Sequence, residues 1–356
     1  MAAAPALPGF AARLRAFVAA CFAGPVNTLI TLGCLGLLAL FLPPFVNWAL
    51  IEATWSGTAA TCRAGNGACW AFVREKFWFS IFGLYPFEER WRPATMLVIL
   101  VAMVVASTIR RFWNRWLLLA WAVAAPAMWI LMQGGLFGLP YVQTRLWGGL
   151  AITGIIAVFG LALGYPLSIM LALGRRSSLP LLRWFCTALI ECIRGVPLIS
   201  LLFMAAIMVP LFLPQGVTVD RLIRVLFAYT LFTAAYMAEV VRGGLQAIPR
   251  GQYEAADSLG LTYWQKMRLI ILPQALTITI PAQVNTFIGL FKDTTLVVVI
   301  GVFDFFTTLR AALGDPNWLG FPTEAYVYAA TVYFVLCFAM SRYSLALERR
   351  FRAGQR

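Results

Sequence analysis

Residues 254–273 read EAADSLGLTYWQKMRLIILP. Two acids, Glu254 and Asp257, are followed by Gly260 and then by two bases, Lys266 and Arg268. Apolar segments flank this polar stretch, in a chain of 356 residues that is 62% hydrophobic and only 12% charged. The preceding GQY extends it into GQYEAADSL (251–259), a short helix-prone run, and Gly260 stops that run as glycines stop helices. TYWQKMRLIILP then leads back into apolar sequence. The pattern predicts two short helices joined at a glycine and held outside the lipid.

The surrounding composition fixes the class. A soluble domain of this length needs far more charge to cover its surface. Runs of about 20 apolar residues recur, the length that crosses a bilayer core as a helix. The chain therefore reads as an all-α polytopic membrane protein. Its formal net charge of +14 does not point to nucleic acid, because the arginines sit beside apolar segments, where cytoplasmic loops collect them. The sequence has no histidine, which removes the commonest acid/base catalyst and metal ligand. Its seven cysteines form no metal-type spacing. Cys62 and Cys69 share one polar loop, and they can pair if that loop faces an oxidising compartment. The opening MAAAPALPGFAARLRAF lacks a compact apolar core with a small-residue cleavage site and reads as no removable signal peptide.

Eight spans are expected, at about 26–51, 93–109, 116–133, 148–174, 196–214, 225–241, 272–291 and 325–344. Pro43 and Pro44 should kink the first near its end. Basic residues at Arg13 and Arg15, Arg110, Arg111 and Arg115, Arg175, Arg176 and Arg183, in the 242–268 loop and in the tail LERRFRAGQR all fall on one side. The 52–92 loop nearly balances its bases with Glu52, Glu75, Glu88 and Glu89. Charge bias and an even span count agree that both termini are cytoplasmic and that 52–92 lies outside. The run LVVVIGVFDFFTTLRAALG (296–314) is apolar enough to span, but a ninth span would put the arginine tail outside. It is expected to pack at the outer face as a helix or re-entrant segment.

Ionisable groups inside spans are costly and raise functional hypotheses. Arg194 lies in ECIRGVPL, where Gly195 and Pro197 interrupt regular helix, and Glu239 lies in AYMAEVVRGG. Snorkelling or an internal ion pair is the structural alternative for both. Lys292 and Asp293, followed by Thr294 and Thr295, interrupt an apolar run in GLFKDTTL and suggest a broken helix lining a cavity.

The spacing of Glu254, Ala255, Ala256, Gly260, Ile270, Leu272 and Pro273 resembles the EAA signature of membrane subunits of bacterial ATP-binding-cassette importers. IRGVPL, AEVVRGGLQAIPRGQYEAADSLGL, PAQVNTFIGLFKDTTL and WGGLAITG look like the polar-amino-acid permease branch, and together they cover roughly 148–346. The three extra spans, with CRAGNGACWAFV and YPFEERWR in their loop, are similar to the M-type subunit of general L-amino-acid permeases.

The resemblance implies an N-terminal extension over 1–147 and a five-helix type I permease core over 148–350. The segment at about 251–260 would be the coupling helix, with Glu254, Ala255, Ala256, Gly260 and Pro273 as its ATPase-coupling residues. The partners implied are an ABC ATPase homodimer, a second homologous permease, a periplasmic amino-acid-binding protein and the lipid of the bacterial inner membrane. No cofactor is expected on this chain. A Walker A loop needs Gly before Lys, whereas Lys76, Lys266 and Lys292 follow Glu, Gln and Phe, so ATP-Mg belongs on the partner ATPase. A zwitterionic substrate wants an acid, a base and hydroxyls, and Arg194, Glu239, Asp293, Thr294 and Thr295 are the candidates. The same machinery for an opine or amino-acid derivative is the nearest alternative. An ATP-independent carrier leaves the EAA signature unexplained, and a membrane-embedded enzyme lacks a recognisable nucleophile motif.

Overall fold

The computed structural model describes residues 10–214 and 216–353. The signal-peptide reading of residues 1–9 and the end of the basic tail lie outside the described residues. Its contacts divide the chain into two units, one up to Arg74 and one from Glu75 onward.

In the first unit, α1 (Phe10–Cys21) precedes α2 (Pro25–Val46), which buries none of its residues within the chain. A helix apolar all round and covered by nothing is what lipid requires. Where a kink was expected at Pro43 and Pro44, the helix widens into a π-turn, Asn47–Ile51, and the Asn47 N–H bonds to both proline carbonyls. The loop beyond holds α3 (Ala59–Ala64) and the start of α4 (Trp70–Phe82). Here Cys62 and Cys69 form a disulfide, and Trp70 donates its indole N–H to the Ala49 carbonyl at 2.7 Å.

The second unit begins with a hairpin of α5 (Trp91–Thr108) and α6 (Arg115–Gln133). Arg92, fully buried, closes it by donating to the carbonyls of Leu131 at 2.6 Å and Pro140 at 2.9 Å. These are orphan acceptors at and beyond the end of α6. Arg92→Met should therefore destabilise the unit by about 2–4 kcal/mol. A thermal-unfolding midpoint in detergent equal to wild type would exclude this role.

Next come α7 (Gly149–Arg175), α8 (Pro180–Arg194), α9 (Leu198–Phe203) with a π-turn into α10 (Val209–Leu211), and α11 (Arg221–Ala247). The α7–α11 pair forms the centre. A β-carbon built on Gly160 would lie 2.3 Å from the Tyr229 ring, and one on Gly164 would lie 2.6 Å from the Thr233 methyl. Small residues at these two positions let the helices meet backbone to side chain. Met96 and Leu100 of α5 and Met128 and Met132 of α6 are buried in the same core as Ile152, Ile156 and Tyr229. The α5–α6 hairpin therefore packs in the same unit as α7 and α11, the unit that begins at Glu75.

The chain continues through α12 (Arg250–Ser258), α13 (Tyr263–Lys266), a π-turn at Met267–Ile271, α14 (Leu272–Ile278) and α15 (Ile280–Asp293), which ends in a 3-10 turn, Thr294–Ile300. After α16 (Phe305–Ala312), the long α17 (Pro322–Ala353) closes the unit.

Seven helical segments among the described residues are long and apolar enough to cross a membrane, and an eighth is gained if the bent pair α8 and α9–α10 counts as one span. That pair bends by 103° at Gly195–Pro197. The apolar run expected to start near 196 is present, but the helix before it was not anticipated. Its sequence, PLLRWFCTALIECIR, is amphipathic: Cys186, Ile190 and Ile193 are buried while Trp184 and Phe185 are exposed.

Residues 296–314 turn back at Gly301 and then hold only the eight-residue helix α16, too short to cross a bilayer. Gly301 takes a left-handed φ of 72°, and Phe303 and Asp304 pair with Gly148 and Gly149 at the start of α7. The Phe305 N–H is satisfied by the Thr153 hydroxyl at 2.9 Å, and the Gly149 N–H by that of Thr308 at 3.3 Å. Such side-chain partners are what make irregular backbone tolerable where it is buried. The return also marks one end of the bundle, because α12 touches the other end of α7 through Arg176 and Tyr253.

Candidate functional site

The EAA stretch forms a bracket at one end of the bundle. Glu254 and Ala255 are exposed on α12, and the next residue, Ala256, is fully buried. Gly260 takes φ +70° with open space around its α-carbon, so here glycine answers a backbone requirement rather than a packing one. Thr262 and Gln265 then form a reciprocal capping box that starts α13. Pro273 comes just after the π-turn Met267–Ile271, the kind of local widening that takes a proline without an N–H inside a helical run.

Three contacts fix α12 to the bundle. The Tyr253 hydroxyl donates to the Leu245 carbonyl of α11 at 3.2 Å and accepts from Arg176, beyond α7, at 3.3 Å. Gln274 of α14 donates to Gln252 at 3.1 Å. An Asp257–Lys266 ion pair joins α12 to α13. Gly244 completes the joint: a β-carbon there would lie 2.5 Å from the Ala275 carbonyl, so α11 and α14 meet closely. At the tip, Leu259 and Trp264 are 74% and 70% exposed. The tip thus presents large apolar side chains beside exposed acids.

One level into the bundle, Glu239 of α11 sits among three guanidinium groups. Arg175 of α7 pairs with it directly, Arg242 approaches to 2.9 Å and Arg194 of α8 to 3.8 Å. Arg175 also reaches Glu191 of α8 at 2.8 Å, and the Arg194 guanidinium lies 5.6 Å from the centre of the Tyr236 ring. The cluster ties α7, α8 and α11 together just before the bend into α9. Arg175 and Arg176 are neighbours in sequence, one joined to this cluster and the other to α12.

The remaining candidates stand elsewhere. The Asp293 carboxylate, at the end of α15, is half-buried and makes no hydrogen bond or ion pair among the described residues, with the charge of Lys292 beside it. Thr294 is fully buried and donates to the Phe291 carbonyl, whereas Thr295 donates to that of Lys292. Tyr229 of α11 anchors this level by donating to the Leu290 carbonyl. Tyr229 and Glu239 are ten residues apart on one helix, about 15 Å along its axis. The five residues expected to surround a substrate are therefore split between two levels.

Sequence reasoning missed Arg175, Glu191 and Arg242. Arg242 was visible as an i,i+3 partner of Glu239, whereas Arg175 read simply as an orientation charge. It also missed Gln283, which plugs the break between α14 and α15. Its amide donates to the Leu276 carbonyl at 2.9 Å and to the Thr279 hydroxyl at 2.8 Å, and its oxygen accepts from Tyr165 at 2.9 Å.

Residues 164–353 match the family described as "Binding-protein-dependent transport system inner membrane component". The chain belongs to this family. It is a multi-pass transport component, and its five-helix half carries the match. The permease is 50% identical to the inner membrane amino-acid ABC transporter permease protein YhdY of Escherichia coli K12, over 92% of this chain and 90% of that protein. It is 37% identical to the glutamate/glutamine/aspartate/asparagine transport system permease protein BztC of Rhodobacter capsulatus, over 94% and 93% of the two chains. The glutamate/aspartate import permease protein GltK of Escherichia coli matches at 39% identity over 60% of this chain and 94% of its own. Among solved structures, a crystal structure of an amino acid ABC transporter with histidines is similar at 31% identity and a TM-score of 0.51, covering 57% of this chain and 92% of that one.

Proposed function

We propose that the permease is one half of the translocation pathway of an ATP-driven, binding-protein-dependent L-amino-acid importer, and that it is the M-type member of a permease pair. The observation that carries this is the bracket at α12: an exposed acidic and apolar tip, rigidly tied to α7, α11 and α14. Such a tip fits a groove on a separate ATPase homodimer, where ATP-Mg is bound and hydrolysed. A periplasmic amino-acid-binding protein delivers substrate at the opposite face. Relatives named for amino acids favour this substrate class over an opine or derivative, and the full-length match to YhdY beside the partial match to GltK supports an N-terminal extension over 1–147.

The α12 face is cytoplasmic in this reading, as are both termini, and the Cys62–Cys69 loop is periplasmic. A thiol reagent that cannot cross membranes should label these two cysteines in whole spheroplasts only after reduction. Labelling that requires access from the cytoplasmic side would overturn the orientation.

Within the pathway, Asp293 suits the substrate ammonium, because its carboxylate is already partly desolvated and, among the described residues, has no hydrogen bond or ion pair to hold it, only the charge of the neighbouring Lys292. Thr294 and Thr295 flank it where the helix tightens to 3-10 geometry. Arg194 supplies guanidinium donors for a carboxylate at the inner level. Glu239 is fully engaged by arginines, so it serves better as the anchor that relays motion of α12, through Arg176 and Arg175, to the bend between α8 and α9. The decisive experiment is reconstitution with the ATPase, the partner permease and the binding protein. ATP hydrolysis should rise when the binding protein carries an L-amino acid, and substrate should accumulate in the vesicles. Asp293→Asn should cut uptake at least tenfold, and wild-type kinetics would remove Asp293 from the site.

A further inference from the structure

At the end of the bundle opposite α12 lies a half-open cavity of about 320 Å³. Its walls come from the α6–α7 connection, the start of α11 and the Gly301 turn. Three of its lining residues are arginines, Arg145, Arg221 and Arg224, and a single acid, Asp220, accompanies them. Asp220 is already committed: it accepts from the Thr144 hydroxyl at 2.6 Å and from the Leu222 N–H at 2.8 Å. None of the three arginines forms an ion pair with a carboxylate among the described residues. Arg221 donates to the Ile300 carbonyl at 3.1 Å, and Arg224 to the carbonyls of Val219 and Ala206. These bonds orient two guanidinium groups without neutralising them. The Gly301 turn makes room for the first, because a β-carbon at that position would lie 3.0 Å from Arg221 Nη1.

We infer that this cavity is a carboxylate-binding vestibule, which receives the α-carboxylate of the amino acid before it moves inward. The inference rests on the transport reading and on its orientation. On the outer face the charge rule for loops disfavours arginine, so three of them around one cavity call for a specific anion. Guanidinium groups bind carboxylates through paired N–H donors. The volume lies at the lower end of the range for small-molecule sites, about 300–1,000 Å³. Because every α-amino acid carries the same carboxylate, such a vestibule is blind to the side chain, and selection among amino acids falls to other contacts.

The test uses the complete transporter in proteoliposomes, with L-glutamine as the transported probe. Uptake at saturating binding protein is compared with the binding-protein concentration that gives half-maximal uptake. Arg145→Gln combined with Arg221→Gln should lower saturated uptake roughly tenfold or more, and Arg145→Lys should lose less. The half-maximal binding-protein concentration should stay unchanged. Unchanged uptake in the double variant would overturn the vestibule. So would a rise confined to the half-maximal concentration, since an acidic side chain of the docked protein would then be the occupant. Should the double variant fail to assemble, the single Arg145→Gln exchange, at an exposed position, decides the matter. If the wild-type assembly imports L-glutamine and other amino acids, failure of the variants to differ sinks the vestibule alone. If it imports none, the transport reading falls as well.

Discussion

Gly164→Val should leave almost no folded permease to purify. At Gly164 a β-carbon would meet the Thr233 side chain at 2.6 Å and the Thr230 carbonyl at 3.0 Å, and the second contact is backbone that cannot rotate away. Valine adds two further methyl groups to that clash. The α7–α11 pair would have to separate along the buried seam that also holds Tyr229 and Ile156. Overpacking typically costs about 1–3 kcal/mol, and a backbone obstruction in the central helix pair belongs at or beyond the upper limit. Detergent extraction followed by size-exclusion chromatography gives the readout. A monodisperse Gly164→Val protein with a wild-type unfolding midpoint would contradict the close approach of these helices.

Glu239→Gln should give a permease that assembles poorly and, where it assembles, no longer links ATP hydrolysis to uptake. Wild-type Glu239 faces Arg175, Arg194 and Arg242 with its side chain 16% exposed. Glutamine keeps the shape and removes the charge, so three half-buried cations are left with only Glu191 nearby. Removing one partner of a buried ion pair costs about 3–5 kcal/mol, and partial exposure of these arginines places the loss toward the lower figure. The distinguishing readout is the ratio of ATP hydrolysed to substrate imported in assembled transporter. A merely structural role lowers the yield of assembled complex and leaves that ratio alone, whereas a relay raises it severalfold. Glu239→Asp, which keeps the charge, should restore a substantial part of the coupling. A wild-type ratio in Glu239→Gln would end the relay assignment.

Hydropathy made most of the fold legible, because lipid permits few alternatives to helices of bilayer length. The EAA spacing made the α12 bracket legible down to its hinge glycine. What stayed hidden follows two patterns. Helix α8 escaped because PLLRWFCTALIECIR alternates its faces and never presents a uniformly apolar window. The partners of Glu239 escaped because a single charge in a span reads the same whether it meets a substrate or arginines on neighbouring helices. Only the approach of α7, α8 and α11 separates the two readings. The same holds for Arg145, Arg221 and Arg224, which lie up to 79 residues apart and converge only when the α6–α7 connection folds over the start of α11.

The break at Thr279 has a mechanical meaning. Were residues 272–293 one rod, any push on α12 would arrive at Asp293 unchanged in direction and size. With α14 seated on Gly244 and α15 held by Tyr229, the two pieces answer to different points on α11, and Gln283 serves as the pin of the joint between them. A joint of this kind lets the two pieces of one span be held by different neighbours. In the coupling proposed for α12, only the lower piece is tied to it, so the distance α12 travels need not equal the width by which the pathway opens.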